Sequence, residues 1–299
     1  MSEKEKEVLE DIKKLLQKYG FEEVNIPGVY SVFNYLMRYE DLGSNKNIIT
    51  LPETDCFLKT MEILKPRFEK IWKEQERNFS KVQKFIKEKF YQTEWQIEDD
   101  FKKLFKDADL KEEIEIILLL SADERGGGGG ANNGPNTITL ECSSIKEDYI
   151  NEKLCILWHE LTHIILKEYI RDVSSLLEKN LIIKKASKNA DKIKYNYVKE
   201  LVVYSVFIRV SYLAGKHFPN ELYERLVKAV KDDDFESLEK VHYTFPAYLI
   251  YLNGEFIRDK LEKKEAISQQ EMADAIVKNH PLTEKYFKDH GKKVVWFNY

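Results

Sequence analysis

The chain has 299 residues, 43% of them apolar, enough to bury a substantial core, so an intrinsically disordered chain is excluded. Its 48 Lys plus Arg against 52 Asp plus Glu leave a net charge of −4 with the signs interspersed, which argues against a nucleic-acid partner. No apolar run reaches signal-peptide or membrane-span length, and the sequence therefore predicts a soluble, cytoplasmic protein without a membrane partner.

Val8, Leu9, Ile12, Leu15, Leu16 and Tyr19 recur at helical intervals, and Gly20 stands where a C-terminal glycine cap belongs. An irregular segment with Pro27 and Pro52 leads to a short strand candidate at 47–51. Phe68, Ile71, Trp72, Phe79, Val82, Ile86 and Phe90 then predict one long helix or two stacked ones. Residues 1 to about 110 thus form a helical covering, and no repeat or linker separates it from the rest. The expectation is a single unit, 1–299, with a core at about 111–215 and a helical C-terminal part at about 216–299.

At Ile114 the texture changes. Ile114, Ile116, Ile117, Leu118, Leu119 and Leu120 form a short, nearly continuous apolar run, as expected of a strand buried on both faces. Gly126 to Gly130 follow, five consecutive glycines that read either as a flexible hairpin connection or as a device leaving the next strand uncovered for an extended peptide. A P-loop is excluded, because the tract lacks Gly-Lys-Ser/Thr and enters a strand. In that strand Thr137, Thr139 and Glu141 alternate with Ile138, Leu140 and Cys142, the period of one polar and one buried face.

From Ile150 to Ile170 the apolar residues Leu154, Leu157, Trp158, Leu161, Ile164 and Ile165 recur every three or four positions without Pro or Gly, predicting a helix, and within it runs His159-Glu160-Leu161-Thr162-His163. Two imidazoles four residues apart share one helical face and can reach one Zn²⁺. The adjacent carboxylate lies beside the open coordination position, placed to take a proton from water there. Cys56, Cys142 and Cys155 are odd in number and scattered, which excludes both a disulfide framework and a thiolate cluster. Cys155 precedes His159 by four residues and reads as a small buried side chain.

A catalytic zinc takes three protein ligands, so one more must come from elsewhere. Glu200 lies on the apolar face drawn by Ile193, Tyr197, Tyr204, Ile208 and Ser211, where an ionised carboxylate needs a metal, a basic partner or several backbone donors. Glu168, Glu178 and Asp191 fit the geometry less well. The alternative for Glu200 is an internal salt bridge to Arg or Lys.

His159-Glu160-x-x-His163 on a helix, after two strands and before Glu200 on a later helix, resembles the zincin metallopeptidases of the gluzincin type over about residues 110–215. The resemblance implies an α+β, mostly helical fold with a small sheet packed on the active-site helix. It implies His159, His163 and Glu200 as zinc ligands, Glu160 as general base, and residues 137–140 as the edge strand that holds substrate. Two positions depart from the commoner pattern: Lys199 stands before Glu200, and Tyr204 stands four residues after it where thermolysin-like members place Asp. The group that orients a ligand histidine is therefore open, with Tyr204 either filling that role or simply packing. Tyr204, His242, Tyr243 and His280 are candidate transition-state donors or packing residues. The expected function is a zinc-dependent hydrolase, most naturally a peptidase acting on a peptide or protein. The alternatives are a zinc hydrolase of other substrates and a non-enzymatic helical interaction protein with a fortuitous or degenerate motif.

Overall fold

The computed structural model of this chain describes isolated helical positions between Glu3 and Lys14 and then residues 54–106, 108, 113–120, 130–132, 136–142, 147–188, 197–218, 220–241 and 244–296. Gly20, the strand candidate at 47–51, Asp191, His242 and Tyr243 lie outside the described residues. Two compact units divide the chain, Met1–Arg77 and Asn78–Tyr299. Helix α1 (Thr54–Leu104) crosses the boundary and is one continuous helix, with Pro66 inside its first turns. Everything that follows belongs to the second unit.

That unit is mostly helical with one small sheet. The strands are β1 (Glu115–Leu120), β2 (Gly130–Asn132) and β3 (Thr137–Cys142), in the order β1-β3-β2. β1 runs parallel to β3, with Glu115 opposite Thr137 and Leu120 opposite Cys142. β2 runs antiparallel along the other side of β3, with Gly130 opposite Leu140 and Asn132 opposite Ile138. β3 is therefore central, which corrects the expectation that residues 137–140 form an edge open to an extended peptide. The glycine tract does not leave β3 uncovered, because Gly130 at its end opens the strand that covers it. Burial follows the same order. Ile138, Thr139, Leu140 and Cys142 of β3 are buried, whereas Ile116 to Leu119 of β1, expected to be buried on both faces, are half-buried at the sheet's edge.

Ten helices follow or precede the sheet among the described residues, of which α2 (Glu147–Ile165) and α5 (Tyr197–Val206) carry the sequence motifs. α2 buries Ile150, Leu154, Leu157, Trp158, Leu161 and Ile165, and it packs on β3 and β2. Trp158 stacks on Phe90 of α1, ring centroids 5.3 Å apart, and lies 6.2 Å from Phe101. Burial of such aromatic and aliphatic side chains, at roughly 25 cal/mol per Å² of apolar surface, is what holds a short sheet and a helix together.

After α2 the chain makes α3 (Lys167–Glu178), α4 (Leu181–Lys188), α5, α6 (Tyr212–His217), α7 (Glu221–Lys231), α8 (Phe235–Val241), α9 (Ala247–Lys263) and α10 (Gln269–Asp289). α5 lies against α2, α3 and α9. A buried polar chain fixes its position. Asn279 Nδ2 donates to Asn253 Oδ1 at 2.8 Å, Asn253 Nδ2 donates to Ser205 Oγ at 2.8 Å, and Ser205 Oγ donates to Leu201 O at 2.7 Å. Because each member is satisfied, the chain ties α10, α9 and α5 in register without leaving a desolvated amide. α10 begins with the capping box expected from the sequence, Ser268 and Glu271 bonding each other's backbone N–H. Among the described residues no helix is long and apolar enough to cross a membrane.

Candidate metal centre

His159 and His163 project from one face of α2 toward α5, as their spacing of four requires, with ring centroids 5.1 Å apart. α5 brings Glu200 between them. His159 Nε2 lies 3.6 Å from Glu200 Oε2, and His163 Nε2 lies 3.4 Å from Glu200 Oε1. The three donor atoms fall within 4.8 Å of one another, and this buried to half-buried group can hold a metal ion. Glu200 therefore meets two imidazoles, where the alternative reading expected Arg or Lys. Glu168 and Glu178 are exposed, and Glu168 pairs with Arg171.

The charges in this group are mutually dependent. Burial opposes ionisation of Glu200, but the close approach of His159 and His163, which carry positive charge when protonated, outweighs it and holds the carboxyl far below the usual carboxylate range. Burial likewise opposes the charged form of His159. The close approach of Glu200, the nearby charges of Glu160 and Glu200, and the Phe207 carbonyl together raise its pKa above the ordinary histidine value. Glu160 is half-buried and makes no hydrogen bond or ion pair among the described residues.

The orienting group left open by the sequence is a backbone atom. His159 Nδ1 stands 3.0 Å from the carbonyl oxygen of Phe207. An oxygen that can only accept requires N–H at Nδ1, which leaves the Nε2 lone pair facing Glu200 when the ring is neutral. Tyr204 instead packs its ring edge-on against His159, centroids 4.9 Å apart, and continues to Phe245. No side-chain pattern could have revealed Phe207, since every residue carries the same carbonyl.

The remaining candidates go to other work. His280 lies inside α10, fully buried; Nδ1 donates to Ile276 O at 2.7 Å, Nε2 faces Tyr197 OH at 3.3 Å, and the ring stacks on Trp296. Burial pushes its pKa down to about 4, so it is a neutral packing residue at physiological pH. Cys142 and Cys155 are free and buried, and burial raises both thiols to about 12, which keeps them protonated and poor metal ligands. No protein-family model, curated protein or solved structure matches the chain.

Proposed function

We propose that this protein is a zinc-dependent hydrolase, and most specifically a metallopeptidase built on a zincin-like core of the gluzincin type. One observation carries the reading: the two Nε2 atoms stand 3.6 and 3.4 Å from opposite oxygens of one carboxylate. Good N–H···O bonds run at roughly 2.7–3.2 Å, so this spacing is long for a hydrogen-bonded cluster. Tetrahedral zinc ligands, each about 2.0–2.2 Å from the ion, stand roughly 3.3 Å apart; here each nitrogen faces a different carboxylate oxygen and the three donor atoms lie within 4.8 Å of one another, a set that a bound ion would draw together. Two neutral nitrogens and one carboxylate also suit Zn²⁺ and leave a fourth position open.

Bound there, zinc supplies Lewis acidity toward a substrate carbonyl and acidifies water. The protein's own groups do the rest. His159, His163 and Glu200 hold the site, and the Phe207 carbonyl fixes the His159 ring. Glu160, adjacent to His159 and engaged in no ion pair, acts as general base: it takes the proton of the attacking water and passes it to the leaving amine. A peptide is the substrate that the resemblance favours.

Zinc-loaded wild-type protein and the Glu160→Gln variant, incubated with a mixed peptide library and read by mass spectrometry, test the reading. Wild type should cleave. Glu160→Gln should keep its zinc and lose about 10²- to 10⁴-fold in rate, the usual contribution of a general base. Equal cleavage by the variant, or no cleavage by zinc-loaded wild type, contradicts the peptidase assignment.

A further inference from the structure

The Phe207 carbonyl is available to His159 because a helix stops. In an unbroken helix that oxygen would accept the amide of Ser211, four residues on. Here α5 ends at Val206, Ser211 N–H donates to Ile208 O at 2.7 Å, and residues 207–211 form a non-helical link to α6. The Ser211 side chain stabilises this link. Its Oγ, in a fully buried residue, accepts Ile208 N–H at 3.0 Å and Ala214 N–H at 3.4 Å, and its backbone is extended (φ −80°, ψ 159°) as the N-cap of α6. The link is fastened to α2 at two further points. Arg209 pairs with Glu152, two turns before His159, and the Phe207 ring lies 6.1 Å from Trp158.

We infer that Ser211 is a positioning residue for the metal centre: by ending the helical ladder at Phe207 it aims a backbone carbonyl at His159 Nδ1 and thereby presents Nε2 for coordination. Ser211 touches none of the proposed ligands. This inference rests on the metal reading above and assigns to main chain the orienting role that a carboxylate side chain commonly fills beside metal-bound histidine. Without the Ser211 oxygen, two buried amides lose their acceptor, and continuation of the helix from α5 becomes the alternative that satisfies them. That alternative engages Phe207 O within the helix and withdraws it from His159.

Two measurements on the full chain decide it. In metal-free protein, at a pH where histidine is neutral, long-range ¹H–¹⁵N correlation of His159 should show the Nδ1–H tautomer in wild type and a mixture in Ser211→Ala. Zinc titration against a chromophoric chelator should show binding roughly 10- to 100-fold weaker in Ser211→Ala, the usual effect of losing such an orienting partner. Ser211→Thr, which keeps the acceptor oxygen, should restore both readouts. Wild-type affinity and tautomer in Ser211→Ala overturn the inference. So does an Nε2–H tautomer in the wild type, a result that needs no folded variant. Failure of the wild type to bind zinc contradicts the metal reading itself, whereas the tautomers measured without metal still decide what Ser211 does.

Discussion

At the junction of α1 and α6, Asp100 lies 2.7 Å from His217 Nε2 and 2.5 Å from Lys216 Nζ; at the junction of α2 and α5, Glu200 stands 3.4 and 3.6 Å from two imidazole nitrogens. Both are carboxylates among cationic partners in the same unit, yet they are built differently. Asp100 and His217 have side chains 5% and 4% exposed and make direct hydrogen bonds, as a buried ion pair must to offset its desolvation. Glu200 and His163 are 23% and 20% exposed, and the Glu200 contacts, at 3.4 and 3.6 Å, are about 0.7 to 1.1 Å longer than those of Asp100 at 2.7 and 2.5 Å. The Asp100–His217 pair is closed around its own charges, with Lys216 reaching it from the surface. The Glu200 cluster is partly exposed and its three donor atoms lie within 4.8 Å of one another, so it can hold an ion, and that contrast separates a structural ion pair from a candidate coordination site.

The largest expected effect is on metal. Glu200→Ala or His163→Ala should weaken zinc binding more than about 100-fold, since each removes a ligand rather than an orienting partner, whereas Asp100→Ala should leave zinc stoichiometry unchanged. Equilibrium dialysis with metal analysis checks all three. Equal zinc content in the ligand variants would erase the distinction between the clusters.

Stability should answer in the opposite order. Asp100→Ala leaves the buried His217 side chain without its carboxylate, a loss of about 3 kcal/mol in urea unfolding, the low end of the cost of halving a buried pair because the Lys216 ammonium is exposed to water. Glu200→Ala should cost the metal-free protein less, because its longer contacts are worth less. A larger loss from Glu200→Ala would show that the open cluster is primarily structural.

The smallest effect is a pH dependence above about pH 6 that belongs to the Glu200 cluster and not to the Asp100 cluster. Glu200 is held below its usual 4.5, so its contribution is present above that value and lost as pH falls through the folded pKa. His159 is raised above 6.5, so its contribution is present below that value and lost as pH rises through the folded pKa. Metal-free, the cluster therefore stabilises most between 4.5 and 6.5. Asp100 is different: burial opposes its ionisation, but bonds to His217 and Lys216 prevail and hold it below 3.8, so its contribution persists through that window and above it. Metal-free protein should melt about 2–4 °C lower near pH 8 than near pH 6, with the difference shrinking in Glu200→Gln. Zinc should reverse the order, because coordination requires neutral imidazoles. A metal-free melting profile identical in wild type and Glu200→Gln would sink this account of the charges.

Much of the site was legible in the sequence, because its logic is periodic. Four-residue spacing put His159 and His163 on one face, and the apolar neighbours of Glu200 marked a carboxylate in need of partners. α1, α2, α5 and the capping box at Ser268 followed from spacing and local chemistry in the same way. What escaped was everything decided by long-range pairing or by main chain. Gly130-Ala131-Asn132 carries no strand propensity and becomes β2 only by bonding to β3, so the sequence could not place β3 in the centre or β1 at the edge. The partner of His159 Nδ1 was sought among side chains and is the Phe207 carbonyl, exposed by a helix end that Ser211 sets. His280 carried the right chemistry for a donor, but the fold buries it against Trp296 and keeps it neutral.

Zinc K-edge X-ray absorption on the loaded protein tests the central claim most directly. The account predicts one zinc per chain in a four-coordinate shell of nitrogen and oxygen at about 2.0–2.2 Å, with two imidazoles and no sulfur. A shell containing sulfur at about 2.3 Å, a single imidazole, or protein that takes up no zinc would contradict it.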